Sequence, residues 1–105
     1  AARVIGVRVG FVVPLRDRNR LGYGDDDAIL DCVAPACRAA VAERFRRPLP
    51  GIGEQLAAVE EIARRCTGET FHVQYGPIGV EWCSDALLER VAAESARTGL
   101  RVHMH

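Results

Sequence analysis

Val7-Arg8-Val9-Gly10-Phe11-Val12-Val13, followed by Pro14, is the stretch from which the fold is read. β-Branched and aromatic residues dominate it, which suits a pleated, half-buried strand. Pro14 is expected to stop it, because proline offers no N–H to a ladder. Two further runs have the same character: Phe71 to Tyr75, closed by Gly76-Pro77, and Leu100 to His105.

The segments between these runs read as helices. A polar loop, 16–24, leads to Asp25-Asp26-Asp27, which supplies an N-cap and negative charge for a helix start. Ile29, Cys32, Val33, Ala36, Cys37, Ala40 and Val41 then recur at helical spacing, with Phe45 closing the stripe. Pro35 inside that stretch should kink the helix or begin a second one at its first turn. After the breakers Pro48, Pro50, Gly51 and Gly53, Leu56, Val59, Ile62, Ala63 and Cys66 mark a second amphipathic helix. Glu60–Arg64 and Glu61–Arg65 are favourable pairs on its wet side, and Gly68 suits its C-terminal end. Ser84 can cap a third helix, with Leu87, Leu88, Val91, Ala92 and Ser95 facing inward and Gly99 ending it.

One phrase occurs twice. Gly6-Val7-Arg8-Val9 and Gly99-Leu100-Arg101-Val102 both read as a helix-ending glycine followed by a strand start. Residues 1–6 thus look like the tail of a preceding helix. A helix separates each strand from the next, which implies parallel strands with right-handed crossovers in an α/β fold. Strand alternation then sorts the side chains. Val7, Val9, Phe11 and Val13, then Phe71, Val73 and Tyr75, then Val102 and Met104 form apolar faces expected to meet the helices. Gly10 and Val12, His72 and Gln74, and His103 and His105 fall on the other side. A doubly wound sheet has helices on both faces and needs both apolar. A closed barrel can gather polar groups inside, near its C-terminal mouth. The pattern favours a barrel, and three strands cannot close one. The chain, which opens without Met and stops at His105, is therefore expected to be a piece of a longer one.

Composition narrows the function. The 105 residues are 49% hydrophobic and 27% charged, with fourteen basic and fourteen acidic side chains. Such a length holds one domain at most and buries roughly 60–65% of the surface of its unfolded form. Zero net charge argues against nucleic acid or an anionic membrane as partner. No apolar run approaches the length of a membrane span, about 20 residues, and no secretory leader is visible. Cys32, Cys37, Cys66 and Cys83 form no C-x-x-C pair. They read as reduced, mostly buried thiols of a cytoplasmic protein.

His103-Met104-His105 places two imidazoles on one side of a strand, a common way to supply metal ligands. Gly76-Pro77, Trp82-Cys83-Ser84-Asp85, Ala86-Leu87-Leu88 and the closing Val102-His103-Met104-His105 together resemble the amidohydrolase superfamily, in its deaminase and chlorohydrolase branch. Branch members read G-P-x-x-x-x-x-C-S-x-x-L-L after the fourth barrel strand and V-H-x-H-L-x-E-T at the fifth. The first strand phrase also resembles the third strand of that branch. The resemblance implies a partial TIM barrel, about strands three to five with the intervening helices, spanning 1–105 as a fragment of a metal-dependent hydrolase. It implies one divalent metal, Zn or Fe, that activates a water to break a C–N or similar bond of a small cyclic substrate. It makes His105 the metal ligand and His103 a neighbour. The expected partner is a small-molecule substrate, with homo-oligomer formation left open.

One position departs from the branch. Many members have His directly after Gly-Pro, where this chain has Ile78. Gln74, Glu81 and Trp82 lie near the same mouth and are the candidate substrate contacts, while Trp82 equally suits packing against the next helix. Arg16, Arg18 and Asn19 would rim the mouth, or be merely solvated. His72 reads as a hydrogen-bonded interior histidine. Gly22-Tyr23-Gly24 completes no phosphate loop, and the Pro50–Gly53 segment reads as a plain turn rather than an anion site. The competing class is a small non-enzymatic α/β module that binds a partner through its sheet edges.

Overall fold

The computed structural model describes residues 2–45 and 47–104. Its elements run α1 (Ala2–Ile5), β1 (Val9–Leu15), α2 (Asp26–Asp31), α3 (Pro35–Phe45), α4 (Ile52–Cys66), β2 (Phe71–Pro77) and α5 (Asp85–Thr98). The chain is α/β. β1 and β2 pair in parallel, Val9 opposite Phe71 through Leu15 opposite Pro77. The repeated glycine phrase has the expected geometry: Gly6 at φ 70° and Gly99 at φ 75° both turn left-handed to leave a helix.

Both strands run two residues past their expected ends. Pro14 does not stop β1, and the reason is directional. Val9 donates its N–H to Thr70 O across the ladder at 2.8 Å. Alternate residues point the same way, so Pro14 nitrogen lies on the side away from β2, where no ladder bond is lost. The third run is shorter than expected. Among the described residues it makes one parallel bridge, Val102 to Tyr75. Tyr75 N–H donates to Arg101 O at 2.9 Å and His103 N–H to Tyr75 O at 2.8 Å. The order β1, β2, then Val102 is therefore sequential.

The core forms on one face of the sheet. Leu15, Val73 and Tyr75 meet Leu56, Val59 and Ala63 of α4 and Leu87 and Val91 of α5, with Cys83 beneath the loop between β2 and α5. The expected stripes of α4 and α5 face this core through Leu56, Val59, Ile62, Ala63, Leu87, Leu88 and Val91, while Cys66 and Ala92 are exposed. Ser84 Oγ accepts from Leu87 N–H at 3.1 Å and caps α5 as anticipated. On the outer side Arg65 reaches Glu61 at 2.5 Å, but Arg64 also takes Glu61 rather than Glu60. Glu60 instead bridges to Arg97 of α5. The C-cap of α4 is Thr67 in extended conformation, so Gly68 needs no left-handed turn.

Two expectations about packing fail. Pro35 does begin a new helix, but the stripe it interrupts is not a core face: α3 buries nothing and α2 buries only Leu30. Cys32 and Cys37 are consequently exposed, Cys66 is exposed at the C-terminal end of α4, and Cys83 alone of the four is buried. Phe11 is 44% exposed although it lies on the helix-facing side, and its ring stacks on Phe71 with centroids 5.9 Å apart. Val102 and Met104 are also exposed. The helices cover β2 and leave both margins of the apolar face open. The radius of gyration, 16.8 Å, exceeds the about 13 Å of a compact chain of this length. No helix among the described residues is long and apolar enough to cross a membrane.

Candidate functional site

The C-terminal ends of β1 and β2 carry two loops, 16–24 and 78–84, and these are tied together residue by residue. Asp17 is the centre of the tie. Its Oδ1 accepts from Ser84 N–H at 2.8 Å and its Oδ2 from Ser84 Oγ at 2.5 Å. Trp82 O accepts from the N–H groups of Asp17 and Arg18. Arg18 Nη2 donates to Val80 O at 2.8 Å, and Asn19 Nδ2 donates to Glu81 O. Arg16 is held from the opposite side: its N–H donates to Gln55 Oε1 and its carbonyl accepts from Gln55 Nε2. Arg16, Arg18 and Asn19 therefore fasten the mouth through backbone and side-chain bonds, rather than standing free in solvent.

Trp82 packs, though not where the sequence pointed. Its ring lies 4.7 Å from the Tyr23 ring, and its Nε1 donates to Gly22 O at 2.9 Å. The partner is the first loop, not the following helix. Glu81 is exposed, and its carbonyl is the group engaged by Asn19. Both serve the join between the loops, Trp82 through its side chain and Glu81 through its backbone carbonyl. Asp17 was not singled out from the sequence. An Asp two residues beyond a strand end signals only a loop, and its partner lies 67 positions away.

Gln74 is different. Its register opposite Val12 puts it on the sheet face away from α4 and α5, together with Gly10 and His72. It is half-buried there, and its Nε2 lies 3.0 Å from where a Cβ on Gly10 would stand. The missing side chain of Gly10 is what gives Gln74 its place. His72 is exposed, with no hydrogen-bond partner among the described residues, so the interior, bonded histidine expected there is not found. A strand whose helix-free face is uncovered leaves its alternate side chains in solvent. A cleft of about 430 Å³ runs along this face, lined among others by Arg8, Gly10, His72, Gln74 and Arg101. Val102 pairs with Tyr75, so the parity of the third run places His103 on the side of His72 and Gln74.

His105, the expected metal ligand, lies outside the described residues. Among the described ones no three His, Cys, Asp or Glu side chains converge on a point that could hold an ion. Clear electrostatic shifts fall elsewhere, on the outer surfaces of α4 and α5. The Arg64 guanidinium holds the Glu61 carboxyl below its ordinary value, and Arg97, assisted by Arg90, does the same for Glu94. Comparison with protein-family models, with curated proteins and with solved structures finds no match to this chain.

Proposed function

We propose that this chain is wall and mouth of an amidohydrolase-like barrel, about its strands three to five, in a metal-dependent hydrolase acting on a C–N bond of a small cyclic substrate. The observation that carries the reading is the one-sided sheet. Parallel neighbours in sequential order carry helices on one face only, and the other face collects Gly10, His72, Gln74 and, by parity, His103. That is the division a barrel wall makes between its helical shell and its lumen. The apolar margins at Phe11 and Val102 fit further strands on either side.

The roles follow from position. Gln74, with both an amide donor and a carbonyl acceptor, orients a ring nitrogen or exocyclic amine of the substrate. The Asp17–Ser84 and Trp82–Gly22 bonds fix the loops that bound the mouth, so a substrate meets a preformed wall. Trp82 belongs to that wall, and the exposed Glu81 carboxylate beside it is a candidate substrate contact. His105 is the residue offered to the metal.

The test uses the native protein that contains this chain. Metal analysis should return one Zn or Fe per chain, and a screen of cyclic amidines and aminated heterocycles should release ammonia. His105→Ala should lose the metal, and Gln74→Leu should raise KM while retaining it. A metal-free protein inert across the screen would overturn the proposal in favour of a binding module.

A further inference from the structure

Register sorts the open face of the sheet into layers. Val12 stands opposite Gln74 in the ladder of β1 and β2. Val102 bridges Tyr75 in parallel, so Arg101 stands beside Gln74 in that same layer and on the same face. Neighbouring strands lie about 4.8 Å apart, so the amide of Gln74 and the guanidinium of Arg101 rise from adjacent backbones. Both line the cleft of about 430 Å³ on this face. Arg8 and His72 line it further from the mouth, and Leu100 gives it an apolar edge.

Charge on this face is one-sided. The chain balances fourteen basic side chains with fourteen acidic ones, yet no Asp or Glu lines the cleft among the described residues. Neither Arg8 nor Arg101 forms an ion pair among them. The carboxylates that do pair with arginine sit on helices, at Asp31 of α2, Glu60 and Glu61 of α4 and Glu94 of α5. The cleft thus offers two guanidinium groups, an amide between donor and acceptor character, and no internal anion to satisfy them.

We infer that the substrate of this site is a ring that carries a carboxylate, and that Arg101 selects it. The planar fork of Arg101 meets the carboxylate with two parallel bonds, while Gln74 beside it takes the ring nitrogen. Arg8, deeper in the cleft, adds to the positive field without being close to the mouth. A neutral ring would fill the same space and leave Arg101 without its anion. The role in substrate choice rests on the hydrolase reading, whereas the preference for an acid is a property of the cleft and is read by binding alone.

The experiment is a calorimetric titration of the native protein that contains this chain, with nicotinate beside its neutral isostere nicotinamide and beside acetate. Nicotinate should bind with a Kd of about 1–10 mM, and nicotinamide about tenfold more weakly. Arg101→Gln should weaken nicotinate about tenfold and leave nicotinamide within about twofold, and Arg101→Lys, which keeps the charge and loses the fork, should fall between. Arg44→Gln removes the same charge from α3, outside the cleft, and should change neither ligand. Among aminated heterocycles, ring carboxylates should be turned over with kcat/KM about tenfold above their carboxamides, and Arg101→Gln should erase that advantage through KM. Equal affinity for nicotinate and nicotinamide, acetate binding as tight as nicotinate, no loss in Arg101→Gln, or an equal loss in Arg44→Gln would each overturn the proposal. Turnover with no preference for the acids would overturn the Arg101 assignment and leave the hydrolase standing. A metal-free, inert protein that still prefers nicotinate through Arg101 would overturn the hydrolase and leave the carboxylate site standing.

Discussion

Removing the Asp17 carboxylate should separate the two mouth loops, and the size of the effect can be worked from its bonds. Asp17→Ala deletes acceptors for Ser84 N–H at 2.8 Å and Ser84 Oγ at 2.5 Å. Each is a hydrogen bond to a charged group at a half-buried site, and such bonds contribute about 1.5–3 kcal/mol. Water can reach the vacated donors in part, so the expected loss is about 3 kcal/mol, the lower end of the about 3–6 kcal/mol sum. Ser84→Ala removes one of the same bonds and the cap to Leu87 N–H, the latter worth about 1 kcal/mol. The informative quantity is the coupling in a double-mutant cycle, read as midpoint shifts in urea at unchanged slope. It should be about 1–2 kcal/mol, because the variants share the Oγ bond. A coupling within about 0.5 kcal/mol of zero, as for independent sites, would refute the tie. Limited proteolysis should then cut loop 16–24 faster in Asp17→Ala than in the parent, with no cut gained elsewhere.

Other outcomes follow from single positions. Gly76→Ala places a Cβ 2.7 Å from Val13 O and closer still to Val12, so it should cost at least about 3 kcal/mol by thermal unfolding. Gly10→Ala presses only on the far end of Gln74, so it should cost under about 1 kcal/mol yet lower substrate affinity as Gln74→Leu does. Trp82→Phe keeps a ring against Tyr23 but loses the bond to Gly22 O, for about 1 kcal/mol in urea unfolding. Glu94 is held below its ordinary carboxyl value of 4.5 by Arg97 and Arg90. A lowered folded-state value gives stability present above the unfolded value and lost as pH falls through the folded one. Glu94→Gln should therefore narrow the melting-temperature difference between pH 7 and about pH 3, and an unchanged difference would count against the ion pairs.

Much of the fold was legible because it depends on short-range chemistry. Alternation in 71–75 and in 7–13 is a property of extended backbone, and it placed Gln74, His72 and Gly10 on one face before any pairing was known. Gly6 and Gly99 announced helix ends because only glycine enters the left-handed region without strain. Ser84 announced a cap for the same local reason. What was not legible depended on what lies opposite. Helical spacing from Ile29 to Val41 cannot tell a buried stripe from a surface one, and here α3 rests against α2 and buries no residue. Cys32 and Cys37 lie on that surface stripe and are exposed for the same reason. Pro14 continues β1 because the direction of its absent N–H is set by which side β2 takes, and no local signal carries that.

The sequence by itself determined an α/β chain of parallel strands, the division of each strand into two faces, and the Asp25 and Ser84 caps and Gly6 and Gly99 ends of its helices. These are set by dihedral preference and by side-chain period, both within a few residues. Tertiary structure alone decided that α4 and α5 cover one face while the other stays open, that Asp17 meets Ser84, and that Trp82 turns to Gly22. The partners in those pairs are 67 and 60 positions apart. They meet because adjacent parallel strands bring their C-terminal loops to the same end of the sheet, and no local signal encodes which loop residues then face each other.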